Sequence, residues 1–524
     1  MSRSRVFLVG GGIASLSSAF FLIEDAGVPA ERIHVLEQGQ VMGGSLDGSG
    51  SMETGFLIRG GRMFEEQMLN LWDFLAGIPS LEEPRKSVKQ EIFDFNQKLV
   101  SDARCRLVKK GMKKVDVSSY GLDVRDQADL LRLILTPEAG LGDRTIEDWF
   151  ASHFFETPFW FLWRTTFAFQ SWSSLVEMRR YVLRFIHLFP DFNRLGGILR
   201  TRFNQYDSIV LPATKWLEEK GVRFEPNTIV TDVCFDREEP VERATAFQYV
   251  RDGIEGEVTL GEDDFVFVTL GSIPAASSVG SWHESAILRG KQDAPEWLLW
   301  ERIATRSSAF GNPSAFDEHV DRSKWQSCTI TLRNARLFDY MEEFTGNVAG
   351  TGGLVTLMDS SWLLSFFLPH QPHFRSQPED AWTFWAYGLF PDEQGDFVPK
   401  KMSDCSGSEI VRELLHHLEL EAESEQITAN AQAIPCLMPF AHSEFQPRKP
   451  GDRPAVVPAG ARNFAFLGQF TEIPHDVVYT VEYSVRSARM AVYSLFAVER
   501  EVPAVYAGMR DWKVLRAAAR AMWR

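Results

Sequence analysis

A strand, a glycine turn and a helix in immediate succession constrain this chain more than anything else in it. Residues 5–38 read RVFLVGGGIASLSSAFFLIEDAGVPAERIHVLEQ. Val6–Val9 is an all-apolar run of the length of a buried parallel strand. Gly10, Gly11 and Gly12 follow, then apolar residues at helical spacing from Ile13 to Glu24. Ile33–Leu36 reads as a second strand, closed by Glu37. This is the order of a dinucleotide-binding unit. Gly10 permits the tight turn, and Gly12 admits a pyrophosphate to the backbone. The helix start at Ile13 and Ala14 offers it free N–H groups. Ser15 stands where the third glycine of the fingerprint would be and is small enough for close helix–strand packing. Glu37 can accept hydrogen bonds from ribose hydroxyls and repels a 2′-phosphate, which disfavours NADP and leaves FAD or NAD. A second glycine pair follows directly in Val41-Met42-Gly43-Gly44-Ser45-Leu46. With Gly44, Ser45 and Leu46 just past the ribose acid, the pattern favours an extended FAD.

The rest of the cofactor sheet has to come from far along the chain. Gly221–Val233 reads as two short β segments around a turn, of the kind that returns beside the adenine, around Val230. Phe265–Gly271 is another buried run, with Gly271 and Ser272 at its end, and Asn463–Gly468 is a third. The helix after it, Val477–Phe496, brings Thr480 to the cofactor. The predicted fold is therefore α/β. A Rossmann-like FAD-binding domain is assembled from residues 1–60, 205–280 and 430–500. An α+β substrate domain is inserted as 61–204 and 281–429. This discontinuous layout resembles amine-oxidase and phytoene-desaturase-like flavoproteins.

Between these pieces, Arg59-Gly60-Gly61-Arg62 is either a turn that brings Arg62 to the flavin or a solvated surface turn. Met63–Leu75 reads as a helix with Glu65 and Glu66 in its first turn, where acids suit the helix dipole. Residues 87–116 read as strand and loop. Trp149–Trp172 is the most aromatic stretch in a chain with 40 Phe and 15 Trp. It is either a packed layer or, the favoured reading, a wall around a long apolar ligand. Residues 501–524 form a basic amphipathic tail. Arg510, Lys513, Arg516, Arg520 and Arg524 share one face, which suits either an anionic membrane surface or docking on the acidic body.

A net charge of −16 argues against nucleic acid as a partner. The five cysteines are scattered without C-x-x-C, so neither a disulfide framework nor a zinc site is expected, and a reducing cytoplasm is the natural compartment. His370 and His373, and His416 and His417, lack the acid spacing of a metal site, so no metal is expected. The chain enters its first strand at once, with no signal peptide, and no apolar run reaches the length of a membrane span.

Several stretches together resemble the oleate hydratases, the myosin-cross-reactive antigen family. They are GGGIASLSSAFFLIEDAG, IRGGR, LWDF, FNQYDSIVLP, FVTLGS, LMDSSWLLSF, WAYGLFPDEQGDF, PRKPGDRP and FLGQFTEIPHDVVYTVEYSVRSA. The resemblance implies an FAD-containing hydro-lyase. It would add water to the cis-9 double bond of oleic acid, a long-chain unsaturated fatty acid, to give 10-hydroxystearic acid. No net electrons move, and the reduced flavin is the more active form. It implies Tyr206 as proton donor. The family's water-activating Glu follows the R-G-G-R turn, and this chain has Met63 there. Three readings follow: Glu65 or Glu66 supplies the carboxylate; flavin and backbone orient the water without a side-chain base; or the chain is inactive or acts on another substrate. Hydration with Glu65 as the catalytic partner of Tyr206 is the favoured one. Arg and His residues such as His442 are candidates for the substrate carboxylate. The family's dimerising N-terminal extension is not seen before the first strand, so a monomer is expected. Open alternatives are a flavin oxidoreductase acting on a lipid or amine, and an inactive flavin-bearing lipid-binding protein.

Overall fold

A computed structural model describes residues 4–236 and 241–523. Its central element is a five-stranded parallel sheet. The strand order is Phe464–Leu467, Phe265–Thr269, Val6–Val9, Ile33–Leu36 and Arg223–Glu225. Strands from three distant parts of the chain thus pair in one sheet. The two-residue period of the strands sorts their side chains between two cores. Val6, Leu8, Ile33, Val35 and Leu467 face the helices Ile13–Glu24 and Val481–Leu495. Phe7, Val9, Val266, Val268 and Phe466 face the other way. There they meet the antiparallel sheet Thr228–Phe235, Ala244–Arg251 and Ile254–Thr259 and the helix Pro295–Ala304.

The second body is an eight-stranded, mostly antiparallel sheet. Its middle consists of Gln432–Met438, Trp325–Leu332, Trp382–Gly388 and Leu364–Phe367. Gln432–Met438 falls in the stretch that the sequence pattern groups with the cofactor sheet. It pairs instead along Trp325–Leu332, because both faces of that sheet need apolar cover and its own face is buried. A hairpin, Gly48–Ser51 with Gly55–Ile58, joins the two bodies. The Phe56 and Ile58 amides donate to the Thr331 and Thr329 hydroxyls, at 3.1 Å each.

The helix expected over Val477–Phe496 starts at Val481, with Thr480 as its cap accepting from the Tyr483 amide, and two more local expectations fail. Residues 88–98 are a helix, Val88–Lys98, rather than strand, since Ser87 caps it by accepting from the Gln90 amide. The helix expected from Met63 starts only at Leu69. Its would-be first turn is held open by side-chain bonds described below. The tail helix Trp512–Met522 packs on the segment Ile186–Arg194 through its apolar side. Lys513, Arg516 and Arg520 stay exposed, as do Trp512 and Trp523. Arg524 lies outside the described residues. Among the described residues no helix is long and apolar enough to cross a membrane.

Candidate active site

At the carboxyl ends of the parallel strands lies a cleft of about 480 Å³. Gly10, Gly12, Ile13, Ala14, Glu37, Gly44, Ser45, Val230, Gly271 and Ser272 all line it. Much of its wall is backbone. Gly12 precedes the first helix without any side-chain cap, so the opening N–H groups stay free. Gly44 has φ +56°, and a Cβ there would stand 3.2 Å from the Gly12 Cα. Only glycines let these two loops meet. The Glu37 carboxylate accepts from the Gly11 amide at 2.6 Å and the Gly39 amide at 2.8 Å. It therefore fixes both turns while facing the cleft.

Five expected cofactor residues lie elsewhere, three of them, Arg62, Met63 and Thr480, in a second cavity described below. Ser15 and Leu46 are buried and do not line the cleft, Leu46 lying in the core. Local pattern could not separate lining from support here, because both sit one residue from lining positions. Asp47, Thr269 and Glu296 line the cleft unannounced. The first two adjoin expected residues. Glu296 comes from a helix with no recognisable motif. Asp47 Oδ1, Thr269 Oγ1 and Glu296 Oε2 are buried with no hydrogen-bond partner. Such orphans cost about 1–3 kcal/mol each unless a ligand or water meets them. Burial pushes the Asp47 and Glu296 carboxyls up, against the pull of Arg59 and Arg62 on Asp47. Free N–H groups for phosphates and orphaned oxygens for hydroxyls together fit a dinucleotide.

Arg62, Met63 and Thr480 line a second, mainly apolar cavity, with Phe64, Met68, Phe167, Tyr181, Phe185 and Tyr479. The R-G-G-R turn runs between the two. Arg59 pairs with Asp47 at 3.0 Å, and Arg62 donates to the Ser45 carbonyl and lies over the Tyr479 ring. Most of the aromatic stretch 149–172 is a packed layer, as in the Phe150–Phe154 stack at 3.9 Å. Only Thr166 and Phe167 of it reach this cavity.

Gly61 and Arg62 also line a third, small cavity, with Arg200, Gln205, His370 and His373 and no acid. Arg200 is buried, its guanidinium over the Phe367 ring, and its Nε has no partner. Burial pulls the Arg200 guanidinium down to about 10 and the His373 imidazole to about 3. An apolar cavity ending at uncompensated arginine suits an amphiphile with a carboxylate.

Glu65 lines the apolar cavity but is not in a helical turn, and it is pinned. Only 1% exposed, it pairs with Arg184 at 2.7 Å and His187 at 3.4 Å and accepts from the Gln67 amide. Burial favours its protonation, yet His187, Arg184 and that amide outweigh burial and hold the carboxyl below its usual range. A carboxylate with its oxygens taken and its proton affinity lowered is a poor base.

Tyr206 opens a π-helical turn, Tyr206–Val210, in which the Leu211 amide reaches back to the Tyr206 carbonyl. Its ring lies beside Gly43, and its neighbour Gln205 lines the arginine cavity. Burial, Asp207 and Glu218 push its phenol up, so it carries its proton at neutral pH. His442 is buried against Trp325 and lines neither the apolar cavity nor the arginine cavity. Two groupings of metal-ligand type occur among the described residues, Asp123/Asp126/His153 and Asp396/Glu413/His417. The first is a helix capping box, and Glu413 is taken up by three backbone amides.

The family pattern of the MCRA proteins matches residues 3–493. The chain belongs to the MCRA family. This MCRA chain is 39% identical over 517 residues to the oleate hydratase of Streptococcus pyogenes serotype M49 (strain NZ131), covering 96% of this chain and 87% of that protein. It is 30% identical over 540 residues to the linoleate hydratase of Lactiplantibacillus plantarum, covering 95% and 94%. Among solved structures it is similar to a Pyrococcus furiosus protein, with a TM-score of 0.51 at 11% identity over 95% of this chain and 99% of that one. A redesigned putrescine oxidase gives 0.51 at 12%, over 94% and 98%. These two likenesses concern the fold alone, a Rossmann-like α/β architecture.

Proposed function

We propose that this protein is a hydro-lyase that adds water to the cis-9 double bond of oleic acid, giving 10-hydroxystearic acid, with FAD bound and no net electron transfer. The observation that carries the reading is the junction at Gly61-Arg62. On one side is an apolar cavity, on the other a cavity with Arg200, His373 and no acid. A fatty acid matches that pairing in both polarity and charge. The relatives' names, oleate and linoleate hydratase, support the same chemistry.

FAD is held by the Gly10–Ala14 turn, Glu37, Gly43–Ser45, Val230 and Gly271-Ser272. Arg62, Met63 and Thr480 bound it on the substrate side. When bound, and best when reduced, FAD would supply electron density that steadies positive charge developing on carbon. Tyr206 delivers the proton to one alkene carbon. Its phenol holds that proton at neutral pH, so proton transfer depends on tight positioning. Arg200 and Arg62 grip the carboxylate and set which carbon faces Tyr206. The tail helix, with Trp512 and Trp523 exposed beside Lys513, Arg516 and Arg520, rests against an anionic membrane surface as a peripheral contact.

The test is incubation of the FAD-loaded, reduced protein with oleate, followed by mass spectrometry of the lipid. A product heavier by one water supports the reading. A change in hydrogen count instead points to a flavin oxidoreductase, and bound but unaltered oleate to a lipid-binding protein.

A further inference from the structure

Hydration needs a group to take a proton from the attacking water. The only acid lining the apolar cavity among the described residues is Glu65, and Arg184 and His187 occupy it. Met63 beside it is apolar. A different carboxylate lies behind the same wall. Glu444 sits in the turn Ser443–Phe445, after the strand Gln432–Met438, and is 0% exposed. Alone among the described acids, it has both buried carboxylate oxygens without a hydrogen-bond partner.

Its turn is placed against the cavity by packing. Met63 and Tyr479 lie on the apolar cluster that contains Met438 and Ala441. The neighbouring Phe445 ring stands 5.7 Å from Tyr479 and 5.8 Å from Tyr181, both of which line the cavity. More orphaned polar atoms belong to its chain neighbours and to the strand paired with Gln432–Met438. They are both ring nitrogens of His442, the Ser443 hydroxyl, the Gln326 amide and the Trp325 indole N–H. Trp325 and Trp172 both flank His442, at 5.5 and 6.4 Å. Trp172 opens onto a surface cleft of about 670 Å³. Buried polar atoms left unpaired in such numbers are the signature of a hydrated path.

We propose that Glu444 is the base that deprotonates the attacking water, supplied along this polar path from the Trp172 cleft. The inference rests on the hydration reading above. In the step, Tyr206 gives its phenolic proton to one alkene carbon, and the π pair forms the new C–H bond. The water oxygen bonds to the neighbouring carbon, and one water proton passes to a Glu444 oxygen. That proton returns through water to the Tyr206 phenolate, and the sum is one water added.

The charged and titratable groups that act on Glu444 are Arg453, Arg62, Glu177, Tyr181 and Tyr479. Burial pushes its carboxyl up to about 8, against its own backbone amide, Arg453 and Arg62 and with Glu177. A base with that value works better as pH rises, so hydration should climb through a step near pH 8.

The experiment compares wild type and Glu444→Gln, both FAD-loaded and reduced, for oleate hydration across pH, with flavin and oleate affinities measured in parallel. The expected result is a rate lower by about 100-fold or more, loss of the step, and unchanged affinities. A variant that keeps its rate and the step overturns the proposal. If the variant fails to retain flavin, the wild-type profile decides: a step near pH 8 supports it and a flat profile overturns it. A wild type that makes no hydroxystearate overturns the hydration reading itself, whereas a wild type that hydrates with Glu444→Gln unaffected overturns this inference alone.

Discussion

The cleft and the apolar cavity share the R-G-G-R turn but are built from different material. The cleft is largely glycine backbone at the ends of parallel strands, and its tolerances are fixed by contacts such as Gly12 against Gly44. The apolar cavity is made of side chains gathered from the 61–68 turn, the 166–198 helical region and Tyr479–Val481. Backbone walls leave no room for substitution but tolerate change elsewhere. Side-chain walls can be altered one residue at a time. Cofactor retention and turnover should therefore be separable by mutation.

The largest expected effect is on turnover alone. Tyr206→Phe should lower oleate hydration by about 10³-fold, within the range for loss of a positioned proton donor, while flavin absorbance of the purified protein is unchanged. Gly44→Val should do the reverse at the cleft. Its positive φ and the Gly12 backbone leave no place for a side chain, so FAD affinity, read by fluorescence titration, should fall by about 100-fold. A variant that keeps its flavin would break the contrast. Arg200→Met should raise the oleate KM by about 30-fold, as for removal of one partner of a buried charged contact, and should leave methyl oleate unaffected.

Smaller effects sharpen the comparison through stability. Glu177 is buried between Arg448 and Arg453, each at 2.9 Å. Burial alone would raise its carboxyl, but Arg453, Arg448 and Arg180 hold it down at about 2, against an ordinary 4.5. Its stabilisation is thus complete above pH 4.5 and lost as pH falls toward about 2. Glu177→Gln should cost about 3–5 kcal/mol in denaturant unfolding at neutral pH and flatten the acid limb. Smallest, replacing Trp512 and Trp523 with Ser should weaken binding to anionic vesicles about fivefold, with hydration of dispersed oleate unchanged.

The cleft was legible in the sequence because its determinants are local. Strand, glycine turn, helix and Glu37 lie within one short stretch, and each has a single physical job. The later strands were legible as apolar runs ending in glycine. Glu296 was not, because an acid on an ordinary helix shows nothing until the helix is docked. Leu46 and Ser15 showed proximity to the cleft without showing which way they face. Glu65 was placed in a helical turn because Met63–Leu75 has helical spacing. What holds residues 63–68 out of the helix is tertiary: Arg184, His187 and the Trp72 indole, which donates to the Glu65 carbonyl. The aromatic stretch advertised its abundance but not its partners, and most of it packs on itself.

The outermost parallel strand, Phe464–Leu467, has a consequence for synthesis. Its ladder partner in the sheet is Phe265–Thr269, its Phe466 amide donates to the Val456 carbonyl at 2.8 Å, and the Gly468–Phe470 corner after it closes one side of the cleft. A ribosome must therefore extrude nearly nine-tenths of this polypeptide before the cleft is closed on that side. Until then the outer edge of Phe265–Thr269 is an open pairing surface, the kind through which incompletely folded chains associate.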